Sequence, residues 1–239
     1  MNLNEPYGQA VNKSRVNSYV WTMAGLAAIA AAMALADWRS RDPGLFAVCS
    51  MLAIMASLWK VPIPKVEGNV SAGFVFVLIA VGQFGWQETV AVAALGGMAQ
   101  SLLRKRTAPR AIQALFNMSV LTVSAAATYG ISHSLLPGRE PLVALGRLIC
   151  AGVTLFLINS IAVAALFVLL GQVQLEDIHR KIQIFVAPYY AAGGVIAAAV
   201  VETNLLSAAW AGLSMLPLLV LAHLYYRSLV RAIEEPVSS

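Results

Sequence analysis

The chain reads as an all-α, polytopic integral membrane helical bundle of about eight spans. Three observations predict this. Of its 239 residues, 59% are apolar and only 11% are charged, against roughly 45–50% and about 25% in soluble domains. Eight apolar stretches, at 19–36, 45–59, 70–86, 90–103, 111–136, 148–170, 182–201 and 205–226, contain no Lys, Arg, Asp or Glu. The basic residues gather in alternate connections between those stretches. A soluble fold of this size must leave much of its chain facing water and cannot hide so much apolar surface. A soluble enzyme, a nucleic-acid-binding domain and a disordered chain are thereby excluded, and the net charge of +5 marks topology instead.

A bilayer core takes about 20 apolar residues per helix, fewer where the bilayer thins. The fifth, sixth and eighth stretches meet that length. The second and fourth are short, and the third is broken by Gly82 and Gly85. These three leave an alternative open, six spans plus a re-entrant hairpin. With eight spans, Lys13, Arg15, Lys60, Lys65, Arg104, Lys105, Arg106, Arg110, Arg180, Lys181, Arg227 and Arg231 share one side, 12 of the 16 basic residues. The other side holds Arg39, Arg41 and Arg139, with Arg147 near the start of the sixth stretch. The positive-inside rule then puts both termini in the cytoplasm and the chain in a cell inner (plasma) membrane. The domains follow as a cytoplasmic tail over 1–18, one transmembrane domain over 19–226 and a second cytoplasmic tail over 227–239. Ala34-Leu35-Ala36 has the form of a signal-cleavage site, but the apolar run before it is longer than a usual signal core, so the first stretch reads as a retained span.

The connections are short. Pro62 and Pro64 stop any helix between the second and third stretches. Val173, Leu175 and Ile178 give the 171–181 connection the pattern of a short interfacial helix.

Glu88, Arg147 and Glu202 fall at predicted span ends, within reach of the interface, as do His133 and His223. Cys49 and Cys150 lack a CxxC spacing and have no His or Cys neighbours. No metal site, no cofactor and no nucleophile–base pair is therefore expected, and the chain reads as a non-enzyme. The neutral polar residues are more informative: Gln100 in the fourth stretch, Gln113 and Asn117 four apart in the fifth, Asn159 in the sixth and Tyr189 in the seventh. Amides in lipid need partners, so these residues should face the bundle interior. One reading makes them interhelical glue, contributing about 0.6 kcal/mol per hydrogen bond. The other makes them the lining of a cavity for a small neutral or amphipathic ligand. Pro188 and Pro217 favour kinks, and Gly193-Gly194 permits close helix approach. Arg104, Lys105, Arg106 and Arg110 either fix topology alone or also contact lipid headgroups or a partner, each contributing about 1 kcal/mol near an anionic surface.

The order of 74–80, Gly85, 90–103, Arg104-Lys105-Arg106 and Ala114-Leu115-Phe116-Asn117 resembles the N-terminal multi-span membrane sensor region of bacterial signalling proteins, in which it precedes a diguanylate cyclase or an HD-type phosphohydrolase. The resemblance continues through Phe156-Leu157-Ile158-Asn159-Ser160, Pro188-Tyr189-Tyr190 and Leu216-Pro217-Leu218-Leu219 to Tyr225-Tyr226-Arg227, over about residues 45–231. Its motifs are mostly apolar. It implies a membrane-associated sensor of membrane-soluble or periplasmic signals. No output domain follows the last span in this sequence, which leaves three alternatives: a stand-alone relative, a piece of a longer protein, or a module acting with a separate partner such as a cytoplasmic signalling enzyme or ATPase. A weaker resemblance is to the substrate-binding subunits of energy-coupling-factor vitamin transporters, which usually have six spans. The expectation is a non-enzymatic module that binds a small ligand and signals. The alternative is a small-solute transporter or the substrate-binding subunit of one.

Overall fold

The structure, a computed structural model, describes residues 13–62, 69–102, 111–138, 140–171 and 186–203. Seven helices and one pair of short strands occupy them: α1 (Lys13–Ala36), α2 (Pro43–Ser57), β1 (Lys60–Pro62), β2 (Asn69–Ser71), α3 (Phe74–Gln83), α4 (Trp86–Leu102), α5 (Ala111–Leu135), α6 (Pro141–Leu169) and α7 (Ala187–Glu202). The eighth stretch, the C-terminal tail, residues 172–181 of the amphipathic segment and Arg104, Lys105, Arg106 and Arg110 lie outside the described residues. Three helices, α1, α5 and α6, are long and apolar enough to cross a bilayer.

The surface has the inverted polarity that a lipid solvent calls for. Trp21, Ile29 and Leu35 of α1 and Leu142, Ile149, Val153 and Ile161 of α6 are exposed, while Glu88, Thr89, Ser119, Ser124, Thr128 and Ser132 are buried. In hydrocarbon it is the polar group that must find cover.

Local chemistry sets the helix starts. Asp42 caps α2 by accepting from the Leu45 N–H at 2.9 Å, with Pro43 in the first turn. Pro141 likewise opens α6, which begins seven residues before the predicted 148 and takes Arg147 into its second turn. Pro188 sits in the first turn of α7, where its missing N–H costs no intrahelical bond. The residues before Val186, which would show whether the chain bends at Pro188, lie outside the described residues.

The third predicted stretch is not one helix. Its first residues form β2, antiparallel to β1 with Lys60 opposite Ser71 and Val61 opposite Val70, and Ala72 extends the pairing by donating to the Trp59 carbonyl at 3.2 Å. Only ten residues of α3 follow before the chain breaks at Phe84-Gly85 and enters α4. At 1.5 Å per residue α3 rises about 15 Å, half of a hydrocarbon core. Phe74 through Val81 are all buried, so α3 is apolar on every side because protein surrounds it on every side. It packs against α2, α4, α5, α6 and α7.

Glycines set its closest approach. A Cβ on Gly193 of α7 would meet Phe74 Cε2 at 2.5 Å and Val75 Cγ2 at 2.9 Å, and one on Gly82 of α3 would meet Val201 Cγ2 at 2.9 Å. The contacts 74–193 and 82–201 advance together along both helices, so α3 and α7 run parallel. Gly97 of α4 does the same against α5, where a Cβ would lie 2.8 Å from Met118 Cα. One core joins α2, α3, α4, α5, α6 and α7, and a smaller one joins Val20 and Met23 of α1 to Phe116 and Val120 of α5 and Ala162 of α6.

Candidate functional site

The polar interior divides between the two ends of the bundle. At the Lys60 end, the Lys60 ammonium donates to the Gln100 carbonyl. Asn117 Nδ2 donates to Ser101 Oγ at 3.1 Å, pinning α5 to α4. Asn159 Nδ2 of α6 donates to the Tyr190 hydroxyl of α7 at 3.1 Å. Tyr190 is buried and stacks on Phe74 of α3, ring centroids 4.0 Å apart and planes 17° apart. Tyr189 meets the same ring at 5.4 Å, and Phe156 tilts against Tyr190 at 5.5 Å. Three helices thus contribute four rings and one amide to a single contact.

Of the five residues proposed for ligand binding, Asn159 and Tyr189 belong to this aromatic group. Gln100 and Asn117 belong to the α4–α5 seam, and Gln113 lies on α5 one turn before Asn117. Each of the two asparagines already has a helix partner. Tyr190, which stands beside Tyr189 in the sequence but is not among the five proposed ligand residues, is the residue that Asn159 touches. The signal for it was Asn159 on one apolar stretch and a tyrosine pair on the next.

The opposite end holds a group that the sequence reading missed. The sequence places Glu88 at the interface, two residues before a span starting at 90. The helix begins at Trp86 instead, which puts Glu88 in its first turn and folds it inward, only 2% exposed. Its Oε2 accepts the Gly85 N–H at 3.0 Å, half of a capping box. Its Oε1 accepts the Ser40 hydroxyl at 2.6 Å. Gln87 Nε2 donates to the Asp37 carbonyl at 3.2 Å, so the α1–α2 connection is tied twice to the start of α4.

Nearby on α6, Arg147 donates to the Leu136 carbonyl at 2.8 and 3.1 Å and to the Gly138 carbonyl, closing the end of α5. Gly138, with φ of 136°, makes the turn that presents that carbonyl. On α5, Tyr129 and His133 stack at 3.9 Å.

Ser119 and Thr122 of α5 return their hydroxyls to the Leu115 and Met118 carbonyls, both at 2.7 Å. Ser124 and Thr128 do not: both are fully buried, and their hydroxyls have no hydrogen-bond partner among the described residues. The same holds for both polar atoms of the Gln83 side chain, in the last turn of α3. The readable signal was the Ser124, Thr128, Ser132 series at four-residue spacing.

No group of three or more His, Cys, Asp or Glu side chains that could hold a metal ion occurs among the described residues. No protein-family model matches the chain, and neither do curated proteins or solved structures.

Proposed function

We propose that this chain is a non-enzymatic integral membrane module that binds a small neutral or amphipathic ligand between α3, α6 and α7 and signals its presence to a separate partner. The observation that supports this most is the Asn159–Tyr190 pair set against Phe74. Ligand sites are mostly apolar and aromatic, with a few placed polar groups. Four rings and one amide on three helices meet that description. The Tyr190 hydroxyl accepts from Asn159 and keeps its own proton for another acceptor, and the Asn159 carbonyl oxygen is an acceptor in its turn. Both groups sit where water competes little.

In this reading both termini and the basic cluster face the cytoplasm, with Arg104, Lys105, Arg106 and Arg110 meeting lipid headgroups or the partner. The transporter reading shares the pocket and differs in consequence, since it requires flux. A thermal-shift screen of neutral and amphipathic compounds on the purified chain tests the pocket. The expected result is at least one compound that raises the melting temperature of the wild type and leaves Asn159→Leu unmoved. Compounds that stabilise both proteins equally count against the site. A stabilising compound that also crosses proteoliposomes in a chain-dependent way favours transport over sensing.

A further inference from the structure

The Glu88 end carries a second site, independent of the ligand pocket proposed above. Glu88 is a buried carboxylate whose partners are the neutral Ser40 hydroxyl and the Gly85 N–H, and it forms no ion pair among the described residues. A carboxylate has about four acceptor positions, so two neutral donors leave it half-satisfied. Buried ionisable groups in membrane bundles are costly and tend to mark ion or proton paths.

The second observation lies on the neighbouring helices. Leu121 and Ala125 of α5 pack into the main core with α3 and α4. Ser124 follows Leu121 by three residues and Thr128 follows Ala125 by three, which places both on that same core-facing side. The antiparallel register set by Ser101 on Asn117 and Gly97 on Met118 carries Thr128 to the first turns of α4. Tyr129, the next residue, is within electrostatic range of Glu88. α3 ends at Gln83, two residues before the Gly85 N–H that Glu88 accepts; the polar atoms of its amide are buried with no partner among the described residues, and the end of α3 adds the negative pole of its helix dipole.

Each of these groups can offer an oxygen: Glu88, the Gln83 carbonyl, and the Ser124 and Thr128 hydroxyls. Hard oxygen donors without imidazole or thiolate suit a small hard cation and disfavour a soft metal. Interrupted helices beside a carboxylate are where membrane proteins coordinate such ions. We propose that the α3–α4 break, with Glu88, Gln83, Ser124 and Thr128, binds a small monovalent cation, sodium or a proton. Among the described residues, the charged and titratable groups at this end of the bundle are Asp37, Arg39, Arg41 and Asp42 in the α1–α2 connection, Cys49 on α2, Tyr129 and His133 on α5, Arg147 on α6 and Glu202 on α7. Arg147 is held by the Leu136 and Gly138 carbonyls.

The test uses the full chain in nanodiscs. Its melting temperature is measured in sodium chloride against choline chloride at equal ionic strength, then across pH in choline alone. Ligation of the native state by sodium raises the melting temperature in a saturable way, and Glu88→Gln abolishes the rise. A pH-dependent transition lost in Glu88→Gln, with no sodium response, assigns the proton. Thr128→Val removes an unpartnered hydroxyl at constant shape, so a purely structural role predicts a neutral or stabilised protein with unchanged responses. The proposal predicts that Thr128→Val moves the half-saturating sodium concentration or the pH midpoint, and this holds even if Glu88→Gln fails to fold. Sodium and pH responses identical in the wild type and Thr128→Val, or in the wild type and a folded Glu88→Gln, overturn it.

Discussion

At the scale of single residues, the two adjacent glycines of α7 make opposed predictions. A methyl on Gly193 would enter the Phe74 ring, whereas one on Gly194 meets nothing within 4 Å. Gly193→Ala is therefore expected to destabilise by about 1–3 kcal/mol through overpacking. Gly194→Ala should be neutral or stabilise by up to about 1 kcal/mol through helix propensity. Unfolding of both variants in mixed micelles checks the sign of each. The sequence showed the glycine pair but not which member faces α3, because the rotation of α7 is set by its partner. Asn159 and Tyr190 make a sharper pair. A double-mutant cycle of Asn159→Leu and Tyr190→Phe should return a coupling of about 0.6 kcal/mol, and a coupling of zero removes the bond from the account.

At the scale of elements, α3 is the departure from simple membrane-helix logic. Its composition from Phe74 to Val81 is that of a span, and hydropathy alone does not separate a helix wrapped in lipid from one wrapped in protein. What distinguishes them is length, and the strand pair at Lys60–Pro62 and Asn69–Ser71 takes the residues that would have lengthened α3. Its burial makes its side chains the expensive ones. Ile79→Ala, at a residue 1% exposed, should cost about 2–5 kcal/mol, while Ile161→Ala on the outer face of α6, 66% exposed, should cost little. Chemical denaturation of the two variants decides the point. The long helices α1, α5 and α6 were legible because their apolar runs stand between charged connections. The start of α4 was not, since Glu88 looked like a boundary. It is the cap of the helix, and a cap and an interfacial charge read alike in sequence.

At the scale of the molecule, alternate helix ends gather into two polar zones, one around Lys60 and Gln100, the other around Glu88 and Arg147. The charge pattern predicts that the first zone faces the cytoplasm. With Cys49 and Cys150 replaced by alanine, Pro137→Cys should react with a membrane-impermeant maleimide added to intact cells, and Lys13→Cys should not. The reverse labelling would invert the topology. The candidate ligand residues were legible as isolated amides, and their grouping was not, because residues 31 apart in sequence, Asn159 and Tyr190, meet only through the packing of α6 and α7 on α3.

Native mass spectrometry of gently extracted protein shows whether this meeting point binds a small molecule. A reproducible bound species is expected on the wild type and on Gly194→Ala, and none on a folded Asn159→Leu/Tyr190→Phe double variant. An empty wild type, or a species retained equally by the double variant, would contradict such binding and return both residues to the role of helix glue.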